Sequence, residues 1–154
     1  MSKKVKWEKN DIFCINLIDE DCTIGQILSY EPDAMNSVLC AFFSIKYNAD
    51  SNIDISTIDS GKLISIQFVT RDLLDLGTWR IVGNAALVDY NKYIKIVKLR
   101  KRGFIGTKIQ GSGNIVQFLN AYFGLLHWDM MHDEEYFDKL LLPGVNRPPN
   151  VILS

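Results

Sequence analysis

Apolar and polar positions alternate with a period of two from Ile12 to Leu17, which places Phe13, Ile15 and Leu17 on one face of a strand. After Asp19-Glu20-Asp21 a second run of strand type, Thr23 to Tyr30, begins, and the two read as a hairpin. Gly25 inside that run marks a bulge or a close backbone approach, and Pro32-Asp33 marks a turn. From Ser37 to Tyr47 both alternating faces are apolar (Val38, Leu39, Cys40, Ala41, Phe42, Phe43, Ile45), the pattern of a central strand covered on two sides. Asn48 to Gly61 is polar with isolated Ile53, Ile55 and Ile58 and reads as a loop that either lies loosely over the core or reaches a partner. Alternation returns in Lys62 to Thr70, with Ile64, Ile66 and Phe68 inward, and Thr70 is placed to cap a brief helical turn, Asp72 to Leu76, closed by Gly77. Trp79, in Gly77-Thr-Trp-Arg-Ile-Val-Gly-Asn84, has the bulk to plug a space between sheet and helices. Tyr93 to Leu99 and Phe104 to Ile109 complete about six strands as a last hairpin around Arg100-Lys101-Arg102-Gly103.

The period changes in Gly111 to Pro143. Asn114 with Gln117 forms a capping-box variant, and Gly124-Leu125 has the composition of a Schellman stop, with Leu125 folding back on Leu119. Between them Ile115, Val116, Phe118, Leu119, Tyr122 and Phe123 leave only Asn114, Gln117 and Asn120 as a polar stripe, so this helix belongs in the core. Asp133, Glu134 and Glu135 suit a helix N-terminus, Lys139 follows Glu135 by four, and Tyr136, Phe137, Leu140 and Leu141 make one face before Pro143, which predicts a second short helix. Neither reaches the roughly 12 to 15 residues that a helix needs in isolation, so both require a sheet to lie on. The expectation is an α+β fold in one domain over residues 1–154: a curved, mostly antiparallel sheet or partly closed barrel with two C-terminal helices packed on it. The last residues, from Pro148, should lie extended on the surface.

Composition narrows the chemistry. The 154 residues are 47% hydrophobic and 23% charged, ordinary for a globular domain, and no uncharged stretch approaches a membrane span, so the chain reads as cytoplasmic. Cys14, Cys22 and Cys40 are odd in number without metal-type spacing and read as reduced, buried thiols. Net charge is −1, but residues 80–108 hold eight Lys and Arg against Asp89 alone, and residues 129–138 hold five Asp and Glu with no Lys or Arg.

Catalytic and metal readings find little to stand on. His127 and His132 lie among Asp129, Asp133 and Glu134, yet they are five apart where a helical ligand pair wants four, so no metal and no cofactor is expected. Gly103, Gly106, Gly111 and Gly113 precede a helix without either phosphate-binding glycine motif, and no nucleophile elbow exists. Lys98, Arg100, Lys101 and Arg102 could grip phosphate at a hairpin tip, with Tyr90 and Tyr93 nearby to stack on bases; the balanced charge of the chain weighs against nucleic acid, and a solvated tip is the plainer reading.

Several segments resemble the immunity protein 26 family of bacterial polymorphic toxin systems, whose members are encoded beside the toxin they counteract. Asp11-Ile-Phe-Cys-Ile-Asn-Leu17 with Gly25-Gln-Ile-Leu28 is similar to its opening hairpin, and Gly77 to Asn84 is similar to its G-x-W-x-I-x-G-N signature. Phe118 to Leu125, Trp128-Asp129 and Tyr136 to Leu141 resemble its tail. Asn16 where proline is common, Asp19-Glu20-Asp21 for an Asp-Gly turn, and His127 for a proline before Trp128-Asp129 depart from the pattern. A position that accepts proline is not a required ligand or base, which weakens a role for His127 further. The resemblance implies a non-catalytic inhibitor that binds a cognate toxin, often a nuclease in such systems, and occludes it. For the contact surface the sequence offers the acidic stretch Asp129, Asp133, Glu134, Glu135 and Asp138, complementary to a basic toxin, with Trp128 as an anchor if exposed and as core if buried.

Overall fold

The computed structural model describes residues 4–154. The alternating and continuous apolar runs form β1 (Asp11–Asn16), β2 (Asp21–Glu31), β3 (Ser37–Phe43), β4 (Tyr47–Asn48), β5 (Leu63–Val69), β6 (Arg80–Asn84) and β7 (Ile109–Gln110). They make one seven-stranded sheet in the order β6-β1-β2-β3-β5-β7, with β4 added to β2; only β5 and β7 run parallel. The sheet stays open, with β6 and β7 as its edges, and does not close toward a barrel.

Every residue of β3 is buried because both faces of the sheet are covered. On one face Phe13, Ile15, Ile27, Val38, Cys40 and Phe42 pack with α3 (Ser112–Tyr122) and the C-terminal segment through Ile115, Phe118, Leu119, Trp128, Phe137 and Leu140. On the other, Ile12, Ile24, Leu28, Leu39, Ala41, Phe43, Ile66 and Phe68 pack with Ile58, Ile96 and Phe104. Ile64 joins the first cluster rather than sharing a face with Ile66 and Phe68, and the β3/β5 register shifts beside it, between Phe42 and Phe43. The loop residues Ile53, Ile55 and Ile58 lie on the second cluster. The three cysteines are buried free thiols, and burial pushes the Cys40 thiol up from its ordinary pKa.

Gly25 is a close approach. The bulge in β2 sits at Leu28, where the β2/β3 register shifts between Ile27 and Ser29. Phe13 is the cross-strand partner of Gly25, and a Cβ there would meet the Phe13 ring at 2.5 Å. That ring stacks on Trp79 at 5.0 Å and 12°, with Phe42 edge-on to both. Trp79, 1% exposed, fills the predicted space. Because Phe13 is trapped between Gly25 and Trp79, Gly25→Ala is expected to cost about 1 to 2 kcal/mol through overpacking, measured by urea denaturation.

The helices differ from expectation in four places. α1 (Asp72–Asp75) ends before Gly77 at φ +79, but its first flanking residue is Arg71, and Thr70 instead hydrogen-bonds Asp72 and accepts from the Ser112 N–H. The last hairpin is replaced by α2 (Ile96–Lys101) and turns. Its stop is a Schellman motif, in which the Phe104 N–H donates to the Leu99 carbonyl at 2.9 Å, the Gly103 N–H donates to Arg100 at 3.1 Å, and Gly103 has φ +61. Ile96 and Leu99, three apart, meet the second cluster as a helix pair. α3 begins two residues before Asn114, flanked by Gly111, and it ends in the predicted Schellman stop, with Leu125 N–H to Asn120 at 2.8 Å and Gly124 at φ +78.

The second C-terminal helix does not form. Turns occupy that stretch, with one 3-10 turn at Asp138–Leu140. The Asp133 carboxylate accepts from the Glu135 N–H and pairs with Lys139 at 2.6 Å, an Asx-type arrangement that offers the backbone an alternative to helix. Asn120, assigned to a polar stripe, is 1% exposed; its Oδ1 accepts from the Ile18 N–H and ties the β1/β2 turn to α3. Pro149 and Asn150 form a turn where the sequence suggests extended chain, and only the residues after it run extended, with Ile152 bridged to His127.

Candidate functional site

The acidic segment follows α3 and is held by it from below. Trp128 is 1% exposed and packs among Phe118, Tyr122 and Phe137 at centroid distances of 5.8, 6.5 and 5.6 Å, so it is core and offers no anchor to a partner. Its indole N–H donates to Asp138 at 3.0 Å, and its backbone N–H donates to Ile152 at 2.7 Å. Asp129 accepts from the Ser154 N–H and hydroxyl, which hold its carboxyl below the ordinary range. Asp133 is likewise held low, first by Lys139 and then by the Glu135 N–H. Three of the five acidic residues are therefore partnered internally. Glu134 and Glu135 are exposed, and among the described residues their carboxylates have no hydrogen bond or ion pair.

His127 and His132 are both exposed. Among the described residues no three His, Cys, Asp or Glu side chains converge as a metal site would require.

The basic segment is rearranged by α2. Arg100 leaves the candidate group: its Nε and Nη2 donate to Glu31 at 2.9 and 2.8 Å, and Nη2 reaches Ser29 at 3.3 Å. Glu31 is 3% exposed, and Arg100, ahead of Ser29, holds its carboxyl below the ordinary range against burial. Lys98, Lys101 and Arg102 remain exposed, joined by Lys92, Lys95 and Lys108, and none of the six makes an ion pair among the described residues. Beside them a cleft of about 430 Å³ is lined by Ile94, Ile96 and Val97 together with Asn91, Lys95, Lys98 and Lys101.

A third surface had no sequence signal. Trp7, Tyr30 and Arg71 meet with the guanidinium 6.0 and 5.5 Å from the two ring centroids and the rings edge to face at 5.7 Å. Asp75 accepts from the Trp7 indole at 2.9 Å and pairs with Arg71 at 3.2 Å, beside a cavity of about 600 Å³. These residues come from three remote parts of the chain, so no spacing could have grouped them.

Among the described residues no helix is long and apolar enough to cross a membrane. The family described as Immunity protein 26 matches residues 10–103. That span takes in both the Asp11–Leu28 and Gly77–Asn84 segments and the whole of α2, and it ends before α3 and the acidic segment. No curated protein and no solved structure matches the chain.

Proposed function

The chain belongs to the immunity protein 26 family, and from that membership we propose that it neutralises a cognate toxin by binding it and covering its active site or an essential surface, without a reaction of its own. The family match is the observation that carries this reading. The packing supports it: a sheet covered on both faces and a tail fastened by Trp128 make a rigid body, and rigidity lowers the ordering cost of association. An inhibitor of this kind usually buries about 1,200 to 2,000 Å² with its partner. The cytoplasm, where a producing cell meets its own toxin, is the proposed compartment.

Within this reading Glu134 and Glu135 offer a negative edge to a basic toxin such as a nuclease, with Asp129, Asp133 and Asp138 adding to its field. Nucleic acid binding by Lys98, Arg100, Lys101 and Arg102 is the weaker reading, since Glu31 already takes one of the four cations.

The test is a titration of the purified protein with the product of the adjacent toxin gene. Stoichiometric binding with loss of toxin activity is expected, and no binding would remove the reading. Glu134→Lys with Glu135→Lys should slow association by about tenfold at low salt and leave the dissociation rate nearly unchanged, as for charges at an interface rim.

A further inference from the structure

We propose that the α2 face is a docking surface for an acidic segment of the partner protein, whose apolar side chain enters the cleft floored by Ile94, Ile96 and Val97 while its carboxylates meet Lys95, Lys98 and Lys101. This rests on the toxin-binding reading and names a contact for it.

Three observations point to that occupant. The first is charge. Lys95, Lys98 and Lys101 line one cleft, and none of them makes an ion pair among the described residues, so they repel each other in the free protein and an anionic partner relieves that repulsion. The second is the character of the surface between them. Val97, in the lining of the cleft beside Lys95, Lys98 and Lys101, is 57% exposed, so the lysines frame apolar area that water contacts in the free chain. The cleft itself is lined by aliphatic side chains, lysine and Asn91, with no aromatic ring. An unpaired strand of nucleic acid wants rings on which bases stack, whereas an aliphatic floor suits a Leu, Ile or Val from a protein. The third is preparation. Ile96 is buried, and Arg100 is fastened to the buried Glu31, so the helix stands fixed with Val97, Lys98 and Lys101 turned outward before any partner arrives.

The acidic edge and this basic face address different parts of one partner. Lys108 stands at their boundary, near enough to Asp133 to contribute to its lowered pKa.

The experiment uses the full chain, its Lys95→Glu/Lys98→Glu/Lys101→Glu variant and the Glu134→Lys/Glu135→Lys variant, with melting temperatures as a check on folding. Each is mixed with the toxin, with a labelled peptide of alternating Glu and Leu, and with a labelled single-stranded RNA of similar charge. The expected result is that the lysine variant associates with the toxin about tenfold or more slowly at low salt and loses the peptide, while RNA binds the unaltered chain more weakly than the peptide does. Toxin association and peptide binding unchanged in the folded lysine variant would overturn the proposal and leave toxin binding standing. RNA bound more tightly than peptide at the same lysines would overturn it in favour of nucleic acid. A peptide lost from the lysine variant, with no toxin bound by any form, would keep the acidic-segment site and remove the toxin as its source.

Discussion

Trp128→Ala should lower stability by about 3 to 5 kcal/mol, the largest effect expected of a single side chain in this protein. Trp128 joins three pieces of chain: α3 through Phe118 and Tyr122, the 3-10 turn through Phe137 and Asp138, and the C-terminal segment through the backbone bond to Ile152. Truncation opens a cavity among aromatic rings that cannot collapse around it, and it strands the Asp138 contact. At this chain length about 2 to 4 °C accompanies each kcal/mol, so the melting temperature should fall by about 6 to 20 °C. Trp128→Phe separates packing from binding. It keeps most of the ring volume, loses one hydrogen bond at a half-exposed acceptor worth about 1 kcal/mol, and should bind the toxin as the unaltered chain does. A phenylalanine variant that melts normally but no longer binds toxin would mean that the indole reaches the partner after all.

The same residue shows what could and could not be seen along the chain. That Trp128 follows a core helix was readable from Gly124-Leu125, because a Schellman stop is local chemistry; which way the indole turns afterward depends on Phe137 and Ile152, and no local pattern records that. β1, β2 and β3 were readable because period-two alternation and a two-faced apolar run have few alternatives. α2 was misread because the four apolar residues from Ile94 to Leu99, three of them in the helix, satisfy both periods. Ile94 with Ile96 and Val97 with Leu99 suggest two strand faces, while Ile96 with Leu99 is a helix pair, and the Gly103 stop that decides for helix also resembles a hairpin turn. The charge segregation was visible as counts. Its consequences were not, since Arg100 is paired with Glu31 across 69 positions, and Asp129 with Ser154 across 25. Pairing over such distances is a product of the fold, so the sequence overstated the acidic edge and placed a structural arginine among the free cations.

Arg100→Ala is expected to cost about 2 to 3 kcal/mol at neutral pH. Breaking a fully buried ion pair costs about 3 to 5 kcal/mol because the remaining charge is left without compensation, and the smaller figure here reflects a guanidinium side chain that is 48% exposed. Glu31 would keep only Ser29 beside it. The pH dependence identifies the mechanism. In the unaltered chain the Glu31 carboxyl is held below its ordinary value of 4.5, so the folded state binds its proton less readily than the unfolded state. Its contribution is therefore complete above about pH 5 and is lost as pH falls through the ordinary value and then the lower folded one. Without Arg100 the buried carboxylate is penalised by desolvation, its pKa lies above the unfolded value, and protonation relieves the penalty. The two stability curves should converge on acidification, with the gap widest near neutral pH and narrowing as pH falls through the ordinary carboxyl value toward the lower folded one. Urea melts at several pH values measure this directly, and Glu31→Gln combined with Arg100→Met should recover most of the loss, since neither charge is then stranded. A gap that stays constant with pH would mean that Arg100 acts through the packing of its alkyl chain alone, and that the α2 face is held in place by Ile96 and Leu99 without the ion pair.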